Sequence, residues 1–169
     1  GGLYRDVNII AVPNTHFDLD YFGGTGVQIT PIVDGKDANV EIKTYVTGLS
    51  NDDKILYSIF DADNNVIAEI CSEQTSNTLS IKDVRLWNGR KDPYLYTASA
   101  SIIRNGEKID TVASRFGCRT FKIDSENGFI LNGEEYPLRG VSRHQDRLGI
   151  GNALLPEHHK EDIDLICEL

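Results

Sequence analysis

The sequence predicts an all-β fold: an immunoglobulin-like antiparallel β-sandwich of about seven strands, followed by the first βα segment of a truncated TIM barrel. Three observations predict it. Apolar and polar residues alternate at period two through most of the chain up to Phe116. Short Asn-Gly and Asp/Asn-rich stretches separate the alternating runs, as hairpin turns do. Beyond Leu154 the period changes to that of a helix.

Tyr4 to Val12 reads as a strand, with Tyr4, Asp6, Asn8 and Ile10 on one face and Arg5, Val7, Ile9 and Ala11 on the other. Phe17 to Gly26 is aromatic, acidic and glycine-rich. It reads as a connector with aromatic anchors, against a sugar-contacting loop built on Asp18, Asp20, Tyr21 and Phe22. Gly26–Val33 and Ala38–Thr47 are strands joined by the turn Asp34-Gly35-Lys36-Asp37. In the second, Val40, Ile42, Thr44 and Val46 alternate with Asn39, Glu41, Lys43 and Tyr45, so one face is dry and the other wet.

Asn51-Asp52-Asp53 turns the chain into Ile55–Phe60, and Val66–Cys71 follows. The intervening Asp61-Ala62-Asp63-Asn64-Asn65 lacks the glycine and the distal glutamate of a calcium loop, so it reads as a hairpin turn. Thr78–Trp87, Tyr94–Arg104 and Glu107–Phe116 complete the set, the last two joined by Asn105-Gly106.

The second half of the prediction rests on residues 116–169. Asn132-Gly133 lies between Gly128-Phe129-Ile130-Leu131 and Tyr136-Pro137-Leu138, the position of a tight hairpin. Tyr136 to Val141 then reads as a strand running into a polar cluster of Arg139, Arg143, His144, Gln145, Asp146 and Arg147. Polar residues massed at the C-terminal end of a strand suit a (β/α) barrel, which places its chemistry there. Pro156 suits a first helical position. Glu157 to Leu169 carries Ile163, Ile166 and Leu169 at helical spacing, with Glu157, Glu161 and Asp162 towards the positive end of the dipole.

Composition narrows the function. The chain has 169 residues and a formal net charge of −9. That acidic balance argues against nucleic acid and anionic membranes as partners, since both need a basic patch. Cys71, Cys118 and Cys167 are too few and too odd for a disulfide framework. The order Cys71, Trp87, Cys118 mimics the immunoglobulin pattern, but Cys118 lies past the last sandwich strand, so no bridge is expected. No His/Cys cluster suggests a metal. No apolar run approaches the roughly 20 residues that cross a bilayer. The absence of methionine implies a non-native N-terminus, which leaves the location open between cytoplasm and periplasm.

The stretches Phe116-Gly117-x-Arg119, Gly128-Phe129-x-Leu131-Asn132-Gly133 and Leu138-Arg139-Gly140-Val141-x-Arg143-His144-x-Asp146 resemble the opening of the catalytic barrel in glycoside hydrolase family 2. That is the family of β-galactosidases, β-glucuronidases and β-mannosidases. Gly1-Gly2-Leu3-Tyr4-Arg5-Asp6-Val7 resembles the segment closing its jelly-roll domain. Leu86-Trp87 and Pro93-Tyr94-Leu95-Tyr96 resemble the late part of its middle sandwich. Cys118 stands where the family more often has an aromatic, a tolerable change because a buried thiol behaves as a small hydrophobe.

The resemblance implies three regions: residues 1–15 as a terminal jelly-roll strand or linker, 16–118 as the sandwich, and 119–169 as an incomplete barrel start. It implies a retaining hydrolysis by two glutamates on later barrel strands, beyond position 169, so no catalytic residue is expected in this chain. His144 and Asp146 are the expected substrate-binding residues. Arg139 and Arg143 are expected to be structural, paired near the barrel mouth.

The pairs Asp124/Glu126 and Glu134/Glu135 fall in turns and read as solvated charges. His158 and His159 read as surface residues. No cofactor is expected here, and any cation of the whole protein would be held by residues outside this chain. The implied partners are a carbohydrate substrate, the jelly-roll and barrel domains of the same polypeptide, and further copies through sandwich contacts. The run from Arg143 to Arg147, followed by Gly149-x-Gly151-Asn152-Ala153-Leu154, resembles β-galactosidases most, with β-glucuronidase second. The competing reading is a free-standing carbohydrate-binding or adhesion sandwich with Tyr21, Phe22 and Trp87 as its platform. If the barrel is truncated, the chain after about Asp124 is expected to pack poorly on its own, with Leu148, Leu154, Ile163 and Ile166 left without partners.

Overall fold

The computed structural model describes residues 3 and 5–168. Its strands are β1 (His16–Phe17), β2 (Val27–Asp34), β3 (Asp37–Thr44), β4 (Val46–Thr47), β5 (Lys54–Phe60) and β6 (Val66–Ser72). There follow β7 (Ser76–Ile81), β8 (Tyr96–Arg104), β9 (Glu107–Phe116), β10 (Phe121–Asp124), β11 (Gly128–Leu131), β12 (Glu134–Glu135) and one helix, α1 (Pro156–Glu168).

Two antiparallel sheets carry the fold, ordered β2-β3-β7 and β6-β5-β8-β9. Together they make the sandwich that the alternation predicts. Val40, Ile42, Leu79 and Ile81 of the first sheet join Ile55, Tyr57, Ile59, Ala100 and Ile102 of the second in one buried cluster. The turns form as their chemistry requires. Asn105 and Gly106 take φ of 52° and 82°, and Asn132 and Gly133 take 51° and 86°. Asp61 closes the β5–β6 turn by accepting the N–H groups of Asp63 at 2.9 Å and Asn65 at 2.8 Å.

The sandwich keeps its few buried polar groups satisfied. The Tyr57 hydroxyl donates to the Gln74 carbonyl at 2.8 Å and meets the Thr44 hydroxyl at 3.1 Å. Asp53, whose side chain is fully buried, accepts from Nε and Nη2 of Arg104 at 2.6 and 2.7 Å. It also accepts the Ser50 N–H at 2.8 Å. Arg104 reaches on to Thr15 at 2.9 Å, and Thr15 donates to the Gly48 carbonyl. The β1 connection, the β4–β5 loop and the end of β8 are thereby tied at one point.

Four expectations change. No strand forms over residues 5–12, and Tyr4 lies outside the described residues. Ile9 is 97% exposed. Its alternation is real, but no described strand pairs with it. The run expected over Ala38–Thr47 breaks at Tyr45, whose N–H turns to the Gly26 carbonyl at 2.8 Å. The strand expected over Thr78–Trp87 starts two residues earlier, at Ser76, and stops at Ile81. There Asp83 takes φ of 47° and Val84 bonds to the Lys36 carbonyl instead. Residues 136–141 also stay outside any strand. Pro137 has no N–H to give, and a parallel strand needs neighbours that the described residues do not supply.

The chain divides into two compact units. One, Val12–Pro137, contains the sandwich and the β10-β11-β12 sheet. Ile130 and Leu131 are buried in it, so good packing extends past Asp124. The other comprises Gly1–Ala11 and Leu138–Leu169. Its helix fully buries none of its residues; Leu148 and Ile163 are exposed, whereas Leu154 and Ile166 are half-buried.

Candidate functional site

The motif residues of the first unit are explained by packing. Phe116 and Cys118 point into the core. A Cβ on the intervening Gly117 would lie 2.7 Å from the Trp87 Cβ, so only glycine fits. The Arg119 guanidinium lies 5.0 Å from the centre of the Trp87 ring. Asn132 then locks the next hairpin to the same place. Its side chain accepts the Thr120 N–H at 2.9 Å and donates to the Trp87 carbonyl at 3.0 Å. Burial pushes the Cys118 thiol up to about 11, which keeps it protonated and inert. All three cysteines are free.

The polar cluster lies in the second unit, on the loop that leads to α1. Two arginines fasten this loop to the helix. Arg143 donates through Nε to Asp162 at 2.8 Å and through Nη2 to the same oxygen. That guanidinium holds the Asp162 carboxyl below the usual range. Arg147 donates to Glu161. The arginines are four apart and the two acids adjacent, so the pairing has a sequence signature, one that overlaps the placement of acids at the helix's positive end. Gly149 and Gly151, with φ of 87° and 56°, turn the loop between them and the Arg147 N–H closes on the Gly151 carbonyl at 3.0 Å.

The helix start holds a second unforeseen device. His158 accepts the Leu155 N–H through Nδ1 at 3.1 Å while its own N–H bonds to the Leu155 carbonyl at 3.1 Å. This is one arm of a capping box, the third helical residue reaching back to the N-cap N–H, with imidazole in place of glutamate; Leu155 has no side-chain oxygen for the other arm. His158 and His159 are both half-buried, where the sequence reads them as surface residues.

His144 and Asp146 stand exposed on the fastened loop, with no internal hydrogen bond among the described residues. Gln145 between them accepts Arg5 Nη2 at 3.4 Å. Arg139 is exposed and makes no ion pair among the described residues. The loop therefore offers an imidazole and a carboxylate with free hydrogen-bonding capacity, a chemistry suited to hydroxyl groups.

The carboxyls of Asp37, Asp53, Asp61, Asp124 and Asp162 are each held below the ordinary range by the hydrogen-bond donors beside them. A general acid needs the reverse. Asp124 caps its own turn, accepting Glu126 and Asn127 N–H groups at 3.0 Å. Glu134 and Glu135 are both exposed. No group of three or more metal-ligating side chains occurs among the described residues, and no described helix is long and apolar enough to cross a membrane.

Residues 25–119 match the family described as glycosyl hydrolases family 2. A β-glucuronidase of Bacteroides fragilis is 35% identical over 182 residues, covering all of this chain and 26% of that protein. A β-galactosidase of Bacteroides ovatus is 28% identical over 181 residues, covering 99% and 21% respectively. Among solved structures, an FMN-binding β-glucuronidase from Facaelibacterium prausnitzii L2-6 superposes with a TM-score of 0.90 at 43% identity. That match covers 99% of this chain and 26% of the other. The chain thus spans between about a fifth and a quarter of the length of these curated relatives.

Proposed function

This chain belongs to glycosyl hydrolases family 2, and on that premise we propose that it is the sandwich and one pocket edge of a retaining β-glycosidase acting on terminal β-glucuronides. The observation that carries the choice of sugar is the 43% identity over 99% of the chain to a structure described as a β-glucuronidase. A second reading, a terminal β-galactoside, is favoured by the run from Arg143 to Leu154 and by the Bacteroides ovatus relative.

On this proposal residues 16–118 brace the protein, residues 1–15 arrive from a jelly-roll domain, and residues 119–169 begin the (β/α)₈ barrel. The unpaired 136–141 segment is then the first barrel strand, awaiting its neighbours. The two glutamates, about 5 Å apart in a retaining enzyme, belong to the rest of the polypeptide. The downward-shifted carboxyls of this chain support that division, since none is suited to donate a proton. His144 and Asp146 hold substrate hydroxyls, and Arg143 and Arg147 position them through Asp162 and Glu161.

Hydrolysis of aryl β-glucuronide and aryl β-galactoside tests the proposal, using this chain beside the same chain extended through its reading frame. Turnover by the extended protein alone is expected, with the larger kcat/KM on the glucuronide. A larger value on the galactoside selects the second reading. Turnover by the 169-residue chain overturns the division of labour.

A further inference from the structure

A cleft of about 440 Å³ opens on the sandwich unit, and none of its lining residues is among those discussed as sugar contacts above. Its size falls in the range of small-molecule sites. Thr97 and Arg115, paired across β8 and β9, contribute to its lining. The β5–β6 turn supplies Asp61 and Asn64, and the loop before β8 supplies Pro93 and Tyr94.

The two walls are tied together. The Ala62 N–H donates to the Tyr94 hydroxyl at 3.2 Å. The Tyr94 ring lies edge-on to Tyr96 at 4.9 Å, with the Arg85 guanidinium 4.4 Å from its centre. Arg85 is in turn held by both oxygens of Asp92 at 2.9 Å. Asn64 sits in the left-handed region at φ 64°, fixed by the Asp61 turn. The cleft is therefore preorganised without a ligand.

Three of its polar groups are uncommitted, the Thr97 hydroxyl among them. The Arg115 guanidinium and the Asn64 amide have no hydrogen-bond or ion-pair partner among the described residues. The charges around the cleft cancel, with Arg85 and Arg115 against Asp61 and Asp92. Free donors and acceptors in the same lining as a tyrosine and a proline suit a pyranose, which has an apolar C–H face and a rim of hydroxyls. The cancelled charge, on a chain of net −9, argues for an uncharged sugar over an anionic one.

We propose that this cleft is a second saccharide-binding site, one that takes an uncharged pyranose and holds glycan without cleaving it. The choice of a saccharide rests on the glycosidase reading. The test reads binding alone, so failed hydrolysis leaves it standing.

The experiment is titration of the isotope-labelled chain with methyl β-galactopyranoside, methyl β-glucopyranoside and glucuronate, followed by amide chemical shifts. Saturable shifts at Asp61–Asn64, Tyr94–Thr97 and Arg115 with an uncharged glycoside are expected. Arg115→Ala should weaken that binding about tenfold, about 1.4 kcal/mol. Asn64→Gly, which keeps the turn conformation, should weaken it as well. The proposal is overturned by the absence of saturable shifts, by shifts confined to other residues, by tighter binding of glucuronate, or by unchanged affinity in both variants.

Discussion

Asp53 shows how one residue serves as an anchor. Arg104 beside it, helped by the Ser50 N–H, holds its carboxyl well below the usual carboxylate range. A depressed folded-state pKa stabilises fully above the unfolded value of about 3.9 and is lost as pH falls through the folded one. The gap in urea midpoint between the parent chain and Asp53→Asn should therefore be constant from neutrality to about pH 5 and shrink in stronger acid. A gap that closes between pH 7 and 5 would contradict the assignment.

Asn132 is the second such residue. Asn132→Gly keeps the left-handed turn and loses the bonds to Thr120 and Trp87, at an expected cost of about 1–3 kcal/mol in urea unfolding. The sequence made the Asn132 turn legible, because Asn-Gly has a local cause. It could not disclose the side-chain bonds, because their partner at Trp87 is distant along the chain. Asp53 reads from the sequence as a turn residue for the same reason. Its partner Arg104 lies 51 positions away.

At the scale of elements, local signals succeeded where the element stands on its own hydrogen bonds or meets a nearby strand. The helix α1 begins at Pro156 as its sequence announces. The hairpins at Asn105-Gly106 and Asp61–Asn65 also follow from their residues. Tyr4–Val12 and Tyr136–Val141 show strand chemistry without strand structure, since a strand is completed by a partner that periodicity cannot name.

The helix has another dependence. With no buried residue, α1 relies on the loop arginines. Arg143→Gln should reduce the far-ultraviolet helical signal, to which α1 is the only contributor among the described residues. An unchanged signal would show that the Asp162 pair is dispensable.

For the whole molecule, the uneven distribution of the core makes a forecast. Amide exchange should be slowest in β3, β5 and β8, whose inward side chains are buried, and fast throughout residues 138–168. Equal protection of both units would contradict that ranking. The proposed division of the protein gives the same pattern a purpose: a rigid sandwich formed early, and a segment whose order depends on what it joins. Of the candidate site, the sequence made the cluster legible through its motif but not its fastening, because ion pairs between a loop and a helix leave only a faint spacing.

Cys118 provides the chain with a clock. Cys71 and Cys167 lie open to solvent, whereas Cys118 sits sealed beneath the loop of Trp87, the only tryptophan. A thiol reagent should consume two sulfhydryls at once and then wait. The third is released only when the sandwich itself breathes, so the lag times its opening, and the Trp87 emission beside it supplies an optical witness to the same event.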